Sequence, residues 1–186
     1  MTPLIIGYVL VLLLFAGLPW ATRVNPKLEI DRRGSRRTGM VLGLVHVIAL
    51  VVPLLAASSE AGPRIATASS WLGVVLMLAS LALQQWAQRS LGECFTLALQ
   101  ASSDQPLCSS GPYARVRHPA YLAQIALWIG LAVASGSIWA ILSVSAIVIA
   151  GYAYRIVAEE SMMRAHLGHE FTDYVRRTNR LIPYFW

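Results

Sequence analysis

Four long stretches without a charged side chain constrain the fold of this 186-residue chain more than any other feature. They cover residues 1–22, 40–59, 65–88 and 119–154. A helix needs about 20 mostly apolar residues to cross the hydrocarbon of a bilayer, so each of the first three stretches predicts one span. The fourth stretch is too long for one crossing, and small turn-forming residues at 134–137 divide it. It therefore predicts two short helices that form a hairpin.

The composition agrees with an integral membrane protein, because 56% of the residues are hydrophobic and only 13% are charged. We therefore expect an all-α membrane fold with five transmembrane helices, in a single domain over residues 1–186. The connector at 88–118 is polar and irregular, and the tail at 156–186 has apolar residues at helical spacing. The expected spans cover approximately residues 3–20, 40–58, 66–87, 119–134 and 137–155.

The basic residues predict the orientation in the membrane. Six of them follow the first apolar stretch, namely Arg23, Lys27, Arg32, Arg33, Arg36 and Arg37, and the positive-inside rule places that loop in the cytoplasm. The connector and the tail then also lie in the cytoplasm, the N-terminus lies outside, and Arg64 is the only basic residue left outside. The compact five-span plan suggests the inner membrane of a prokaryote. The net charge of +6 is explained by this bias and by attraction to anionic membrane lipid, without nucleic acid.

Polar side chains stand where the fourth predicted span begins. Pro119 fits the first turn of a helix, so His118 lies at the helix entrance and Tyr121 shares a face with it, one turn away. Arg117 adds a guanidinium beside them. These groups form a polar cradle for an anionic or zwitterionic ligand.

A second polar group stands where the fifth predicted span ends. Arg155 and Glu159 are four residues apart and could simply form an ion pair along the helix. At the membrane edge, however, an arginine can bind a carboxylate or phosphate, and a nearby carboxylate prefers a cationic ligand.

His46, alone in the second span, is interpreted as a hydrogen-bonded structural residue. We expect no metal, since His166 and His169 have no further ligands at suitable spacing.

Four motifs in the C-terminal half carry a resemblance to a known family. They are G-x-Y-x-x-x-R-H-P-x-Y at 111–121, R-x-x-x-E-E at 155–160, L-G-x-E-F-x-x-Y at 167–174 and R-L-I-P-Y-F at 180–185. In this order they resemble the isoprenylcysteine carboxyl methyltransferase family, and related motifs occur in phospholipid N-methyltransferases. The resemblance extends from about Gln100 to the end of the chain. It implies an integral-membrane methyltransferase that uses S-adenosylmethionine and a lipophilic or lipidated substrate.

The resemblance also implies where the ligands bind. The cofactor would lie in a cytoplasmic pocket formed by the connector, the last two spans and the tail, and Arg155 matches the arginine that the family assigns to the substrate. Together with His118 and Glu159, Arg155 is a candidate catalytic residue. Residues 105–108 stand where family members often have His-Thr-Leu-Val, which favours backbone contacts there. The implied cofactor contacts are Gln100, Gln105, Pro106, Leu107, Cys108, Tyr113, His118, Pro119, Ala120, Tyr121 and Glu159.

The methyl acceptor stays open at this point. A carboxylate is ionised at neutral pH and needs no base, whereas an amine would need one, for which Glu160 and His118 are the candidates. A prenylated cysteine, a fatty or isoprenoid acid, a phospholipid amine and a lipophilic thiol all fit, each entering laterally from the bilayer.

Two other classes of protein compete with the methyltransferase. Sterol-type membrane reductases that use NADPH have similar motifs, but the connector offers only Arg89, Arg115 and Arg117 for the dinucleotide phosphates. A non-enzymatic membrane interaction protein would explain the spans and the charge bias, although it leaves the polar cluster at the two span ends unexplained.

Overall fold

The computed structural model describes residues 2–17, 32–59, 62–91, 107 and 109–182. Within these ranges the chain forms five α-helices, and a short 3-10 turn at Gly111–Ala114 precedes the fourth. The all-α class is thus confirmed. The helices are α1 (Thr2–Gly17), α2 (Arg32–Ser58), α3 (Thr67–Leu91), α4 (Pro119–Ala134) and α5 (Ile138–Arg177).

The helices coincide with the predicted apolar stretches, but their lengths differ from the predicted spans. In the described ranges α2, α3 and α5 are long and apolar enough to cross a membrane, while α1 and α4 are apolar but shorter. Large aliphatic side chains on the outer faces are exposed, such as Leu44 at 63%, Leu72 at 66% and Leu142 at 57%. An apolar exterior of this kind is what a lipid environment requires. The number of crossings remains a prediction.

Helix α4 lies at the centre of the bundle, where it packs against α1, α2, α3 and α5. It approaches α3 most closely at a pair of glycines, because a Cβ on Gly73 would lie 2.4 Å from the carbonyl oxygen of Gly130. Close approach at small residues is how helices gain contact in membranes. Trp128 and Leu131 of α4 are almost entirely buried in the resulting core.

The turn between α4 and α5 falls at the small residues that the sequence singled out. Gly136 has a φ of 76°, a left-handed conformation that glycine adopts without strain. Ser137 then caps α5 by accepting a hydrogen bond from the backbone N–H of Ala140. Arg64 donates to the carbonyl oxygens of Ser59 and Ser135, at 2.9 and 3.1 Å. Arg64 therefore connects the turn between α4 and α5 to the end of α2.

Helix α5 has 40 residues, and its first 30, at 138–167, cover about 45 Å at 1.5 Å per residue, which exceeds the thickness of the hydrocarbon of about 30 Å. Its residues 138–154 carry no charge and cover about 26 Å. The charged part begins at Arg155, so we predict that the helix lies outside the hydrocarbon from there onward. Gly168, with a φ of 51°, interrupts the helical backbone.

The segment after α5 folds back against the residues that precede α4. The backbone N–H groups of Arg117 and His118 donate to the carbonyl oxygens of Asn179 and Arg180, at 2.8 and 3.1 Å. The N–H of Asn179 donates in turn to Arg115, at 3.0 Å. This pairing brings the beginning of α4, the charged part of α5 and the terminal segment together.

Candidate functional site

The polar cluster forms at the end of the bundle where α4 begins. His118 precedes the first helical residue of α4 and Pro119 occupies that first position, where a missing N–H costs nothing. Both residues are buried, and the N-terminus of a helix carries a partial positive charge. His118 therefore holds its imidazole at an electropositive helix end.

Tyr121 connects the residues that the sequence predicted for cofactor and substrate. Its hydroxyl donates to Oε2 of Glu159 at 2.6 Å and accepts from Nε of Arg155 at 3.2 Å. Its ring stacks on that of His118, with 5.5 Å between centroids and 4° between the planes. Arg155 is 4% exposed and Glu159 is half-buried. One hydroxyl thus joins a buried cation to a carboxylate.

Glu160 lies beside this group but has a different environment. Its carboxylate accepts from Arg117 at 2.9 Å, from Arg180 at 3.0 Å and from Arg164 at 3.2 Å. The Nε2 atom of His118 is 3.5 Å from the same carboxylate, which is fully buried. Glu160 thus ties α5 to the beginning of α4 and to the terminal segment.

The protonation state of Glu160 follows from these contacts. Burial by itself would raise the pKa of the carboxyl, but the nearby His118 imidazole and hydrogen bonds from Arg180 and Arg117 lower the pKa well below its usual range. The carboxylate therefore stays ionised. Since three guanidinium groups surround one carboxylate, the cluster keeps an excess of positive charge beside His118.

Helix α2 contributes a residue that the sequence analysis missed. Nη1 of Arg155 donates to Oγ1 of Thr38 at 2.5 Å, and Thr38 is only 1% exposed. No motif marks a single threonine at the beginning of an apolar helix, and 117 residues separate it from Arg155. Only the tertiary packing of α2 on α5 could reveal this contact.

His46 of α2 is hydrogen-bonded, in agreement with its interpretation as a structural residue. Its Nε2 atom is 2.9 Å from the hydroxyl of Tyr152, and its ring stacks on Trp128 with 5.1 Å between centroids. Tyr152 in turn packs against Tyr121, with 5.4 Å between ring centroids. An aromatic column thus supports the polar cluster from within the bundle.

The remaining predicted cofactor contacts are placed only in part. Tyr113 is buried in the 3-10 turn, and its carbonyl oxygen accepts from the hydroxyl of Tyr174 at 2.7 Å. Ala120 and Leu107 are half-buried. The other predicted contacts lie outside the described residues, namely Gln100, Gln105, Pro106 and Cys108. Within the described ranges, no three His, Cys, Asp or Glu side chains are grouped to hold a metal ion.

Comparison with known proteins gives two positive findings. The sequence model of the family described as phospholipid methyltransferase matches residues 68–170, which is more than half of the chain. The fold resembles the solved structure of the eukaryotic intramembrane Ras methyltransferase ICMT (isoprenylcysteine carboxyl methyltransferase), with a TM-score of 0.60. The two are 23% identical, and the match covers 81% of this chain but only 53% of that one. No curated protein is significantly similar in sequence.

Proposed function

Since the chain belongs to the phospholipid methyltransferase family, we propose that it is an integral-membrane enzyme that methylates the carboxylate of a lipophilic, isoprenylcysteine-like acceptor. The methyl donor in this proposal is S-adenosylmethionine. The observation that carries it is the Tyr121 hydroxyl, which links a buried arginine to a carboxylate at the end of an apolar bundle. Such a site offers a place for an anion and a place for a cation side by side.

The described residues fit the charges of S-adenosylmethionine, which are a sulfonium, an ammonium and a carboxylate. Glu159 can oppose a cation, while His118 and the N-terminus of α4 can hold an anion. The excess positive charge around Glu160 favours a carboxylate nearby. When bound, the cofactor supplies a methyl group on a positively charged sulfur. Gln100, the stretch 105–108, Tyr113 and residues 119–121 complete the proposed contacts.

Arg155 is proposed to hold the acceptor. A guanidinium can bind both oxygens of a carboxylate at once, which fixes the direction of the nucleophile. Attack by the carboxylate on the methyl carbon would form one oxygen–carbon bond and break the carbon–sulfur bond, which would give a methyl ester and a neutral thioether. No proton is transferred, and no general base is required. The apolar part of the acceptor would stay in the bilayer beside the bundle.

A phospholipid amine is the second candidate acceptor, and the family match favours it. An amine must lose a proton, however, and Glu160, one candidate base, is enclosed by arginines that keep it ionised and paired. The other candidate, His118, has its Nε2 atom 3.5 Å from the Glu160 carboxylate. The pairing of Glu160 with arginines supports the carboxylate acceptor, whereas His118 stays the candidate base for an amine.

The cluster around Glu160 also argues against the NADPH-dependent reductase alternative. Arg117, one of the three connector arginines available for dinucleotide phosphates, donates to Glu160 at 2.9 Å, and its side chain is 8% exposed. A phosphate would therefore have to compete with a buried ion pair.

Calorimetric titration of the detergent-purified protein tests the proposal. We expect S-adenosylhomocysteine to bind and NADPH not to bind. In Glu159→Gln the dissociation constant for S-adenosylhomocysteine should rise about thirtyfold or more, because one partner of a charged pair is lost. Asp173→Asn is the matched control, since Asp173 is an exposed carboxylate of the same helix, and this variant should bind S-adenosylhomocysteine normally. Binding of NADPH alone would support a reductase, and binding of neither would contradict an enzymatic role.

A further inference from the structure

Among the described residues, two protein oxygen atoms accept hydrogen bonds from the Arg155 guanidinium. The Tyr121 hydroxyl accepts from Nε at 3.2 Å, and Oγ1 of Thr38 accepts from Nη1 at 2.5 Å. A guanidinium is planar and rigid, so hydrogen bonds to two of its nitrogens define the orientation of its plane. A bidentate interaction with a carboxylate depends on that orientation.

The two oxygens come from different parts of the fold. Tyr121 belongs to α4, within the range that matches the family, whereas Thr38 belongs to α2, before the matched range begins at residue 68. The contact with Thr38 is therefore a feature of this chain that the family match does not include.

Helix α2 is held in register against α5, which keeps the Thr38 oxygen in place. A Cβ on Gly151 of α5 would lie 2.7 Å from Cγ2 of Val45, so the two backbones approach closely there. One residue further along each helix, His46 bonds to the hydroxyl of Tyr152. Close packing and a polar contact together resist sliding of α2 along α5.

We propose that Thr38 is a positioning residue for acceptor binding. Its hydroxyl orients the Arg155 guanidinium so that both oxygens of the acceptor carboxylate can be bound, and α2 thereby forms part of the acceptor side of the site. This inference rests on the proposed function, because it takes Arg155 as the group that binds the acceptor. It assigns Thr38 no contact with the cofactor.

Isosteric substitution tests the role of Thr38. Thr38→Val keeps the shape of the side chain but removes the hydroxyl oxygen. Thr38→Ser keeps the hydroxyl oxygen and removes only the methyl group. With N-acetyl-S-farnesylcysteine as acceptor, we expect the KM of Thr38→Val to rise about tenfold, the loss expected for one hydrogen bond to a charged group. The affinity for S-adenosylhomocysteine should be unchanged, and Thr38→Ser should return the KM close to the wild-type value.

Thr172→Val is the matched control, because Thr172 is exposed on the charged part of α5 and its hydroxyl donates to the carbonyl of Gly168, four residues earlier in the same helix. A normal KM in Thr38→Val, or no recovery in Thr38→Ser, would overturn the inference while the proposed function stands. Wild-type protein that binds S-adenosylhomocysteine but does not methylate this acceptor would overturn the carboxylate acceptor and the role of Thr38 together. Wild-type protein that does not bind S-adenosylhomocysteine would overturn the proposed function itself.

Discussion

At the scale of single residues, two neighbouring glutamates have different environments. Successive residues of a helix point about 100° apart, so Glu159 reaches Tyr121 while Glu160 enters a cluster of arginines. The sequence pattern R-x-x-x-E-E could mark both carboxylates but could not separate them, since Arg117 and Arg180 are distant along the chain. The arginines that surround Glu160 identify it as an ion-pair partner.

The buried ion pairs of Glu160 predict a stability effect that depends on pH. Glu160→Gln leaves Arg117 and Arg180 without their anion and should lower the free energy of unfolding by about 3 kcal/mol. Because the pKa of Glu160 is lowered in the folded protein, this contribution is complete above the ordinary carboxyl pKa of about 4.3 and is lost only as the pH falls below it. Thermal unfolding in detergent, followed from pH 8 to pH 3, measures the difference.

Asp173→Asn serves again as the control, because Asp173 is exposed and its loss should change the unfolding midpoint little at any pH. A difference between wild type and Glu160→Gln that already declines between pH 8 and pH 5 would contradict the lowered pKa. Equal stability of the two proteins at neutral pH would contradict the role of the ion pairs.

At the scale of helices, the apolar stretches predicted the five elements and the turn at Gly136. The predicted ends of the helices were less accurate, since α2 begins at Arg32, eight residues before its predicted span. Arginine has nearly the same helix propensity as leucine, so a helix can continue beyond the membrane edge. A span predicted from hydropathy ends earlier, at the first charged residues. The same reason explains why α5 runs on into the tail.

The contacts between helices were less predictable than the helices. The resemblance brought His118, Tyr121, Arg155 and Glu159 into one site, and in the structure these four side chains lie together. Their assigned roles remain predictions. Thr38 could not be found, because its contact depends on how α2 packs against α5 and leaves no pattern in the sequence.

At the scale of the whole molecule, the charge bias predicts that the site faces the cytoplasm. The two native cysteines, Cys94 and Cys108, lie in the connector. In intact cells we expect a membrane-impermeant maleimide to leave them unlabelled and to label them after permeabilisation. Ala66→Cys, made in a variant with serine at both native positions, should be labelled in intact cells, since residue 66 is exposed in the loop before α3.

The pattern of labelling distinguishes the two orientations. Labelling of Cys94 and Cys108 from outside, with protection of the cysteine at position 66, would contradict the predicted orientation. Labelling at all three positions in cells shown to be intact would contradict a membrane-spanning arrangement between them.

The most direct measurement of the central claim is methyl transfer from tritiated S-adenosylmethionine to N-acetyl-S-farnesylcysteine, with phosphatidylethanolamine in a parallel reaction. A carboxyl methyl ester releases its label as volatile methanol in alkali, whereas an N-methyl group does not. We predict volatile label from the prenylcysteine, and at least a tenfold loss of kcat/KM in Arg155→Lys, which cannot bind a carboxylate through a planar fork. Alkali-stable label in the phospholipid, or no transfer to either acceptor, would contradict the account.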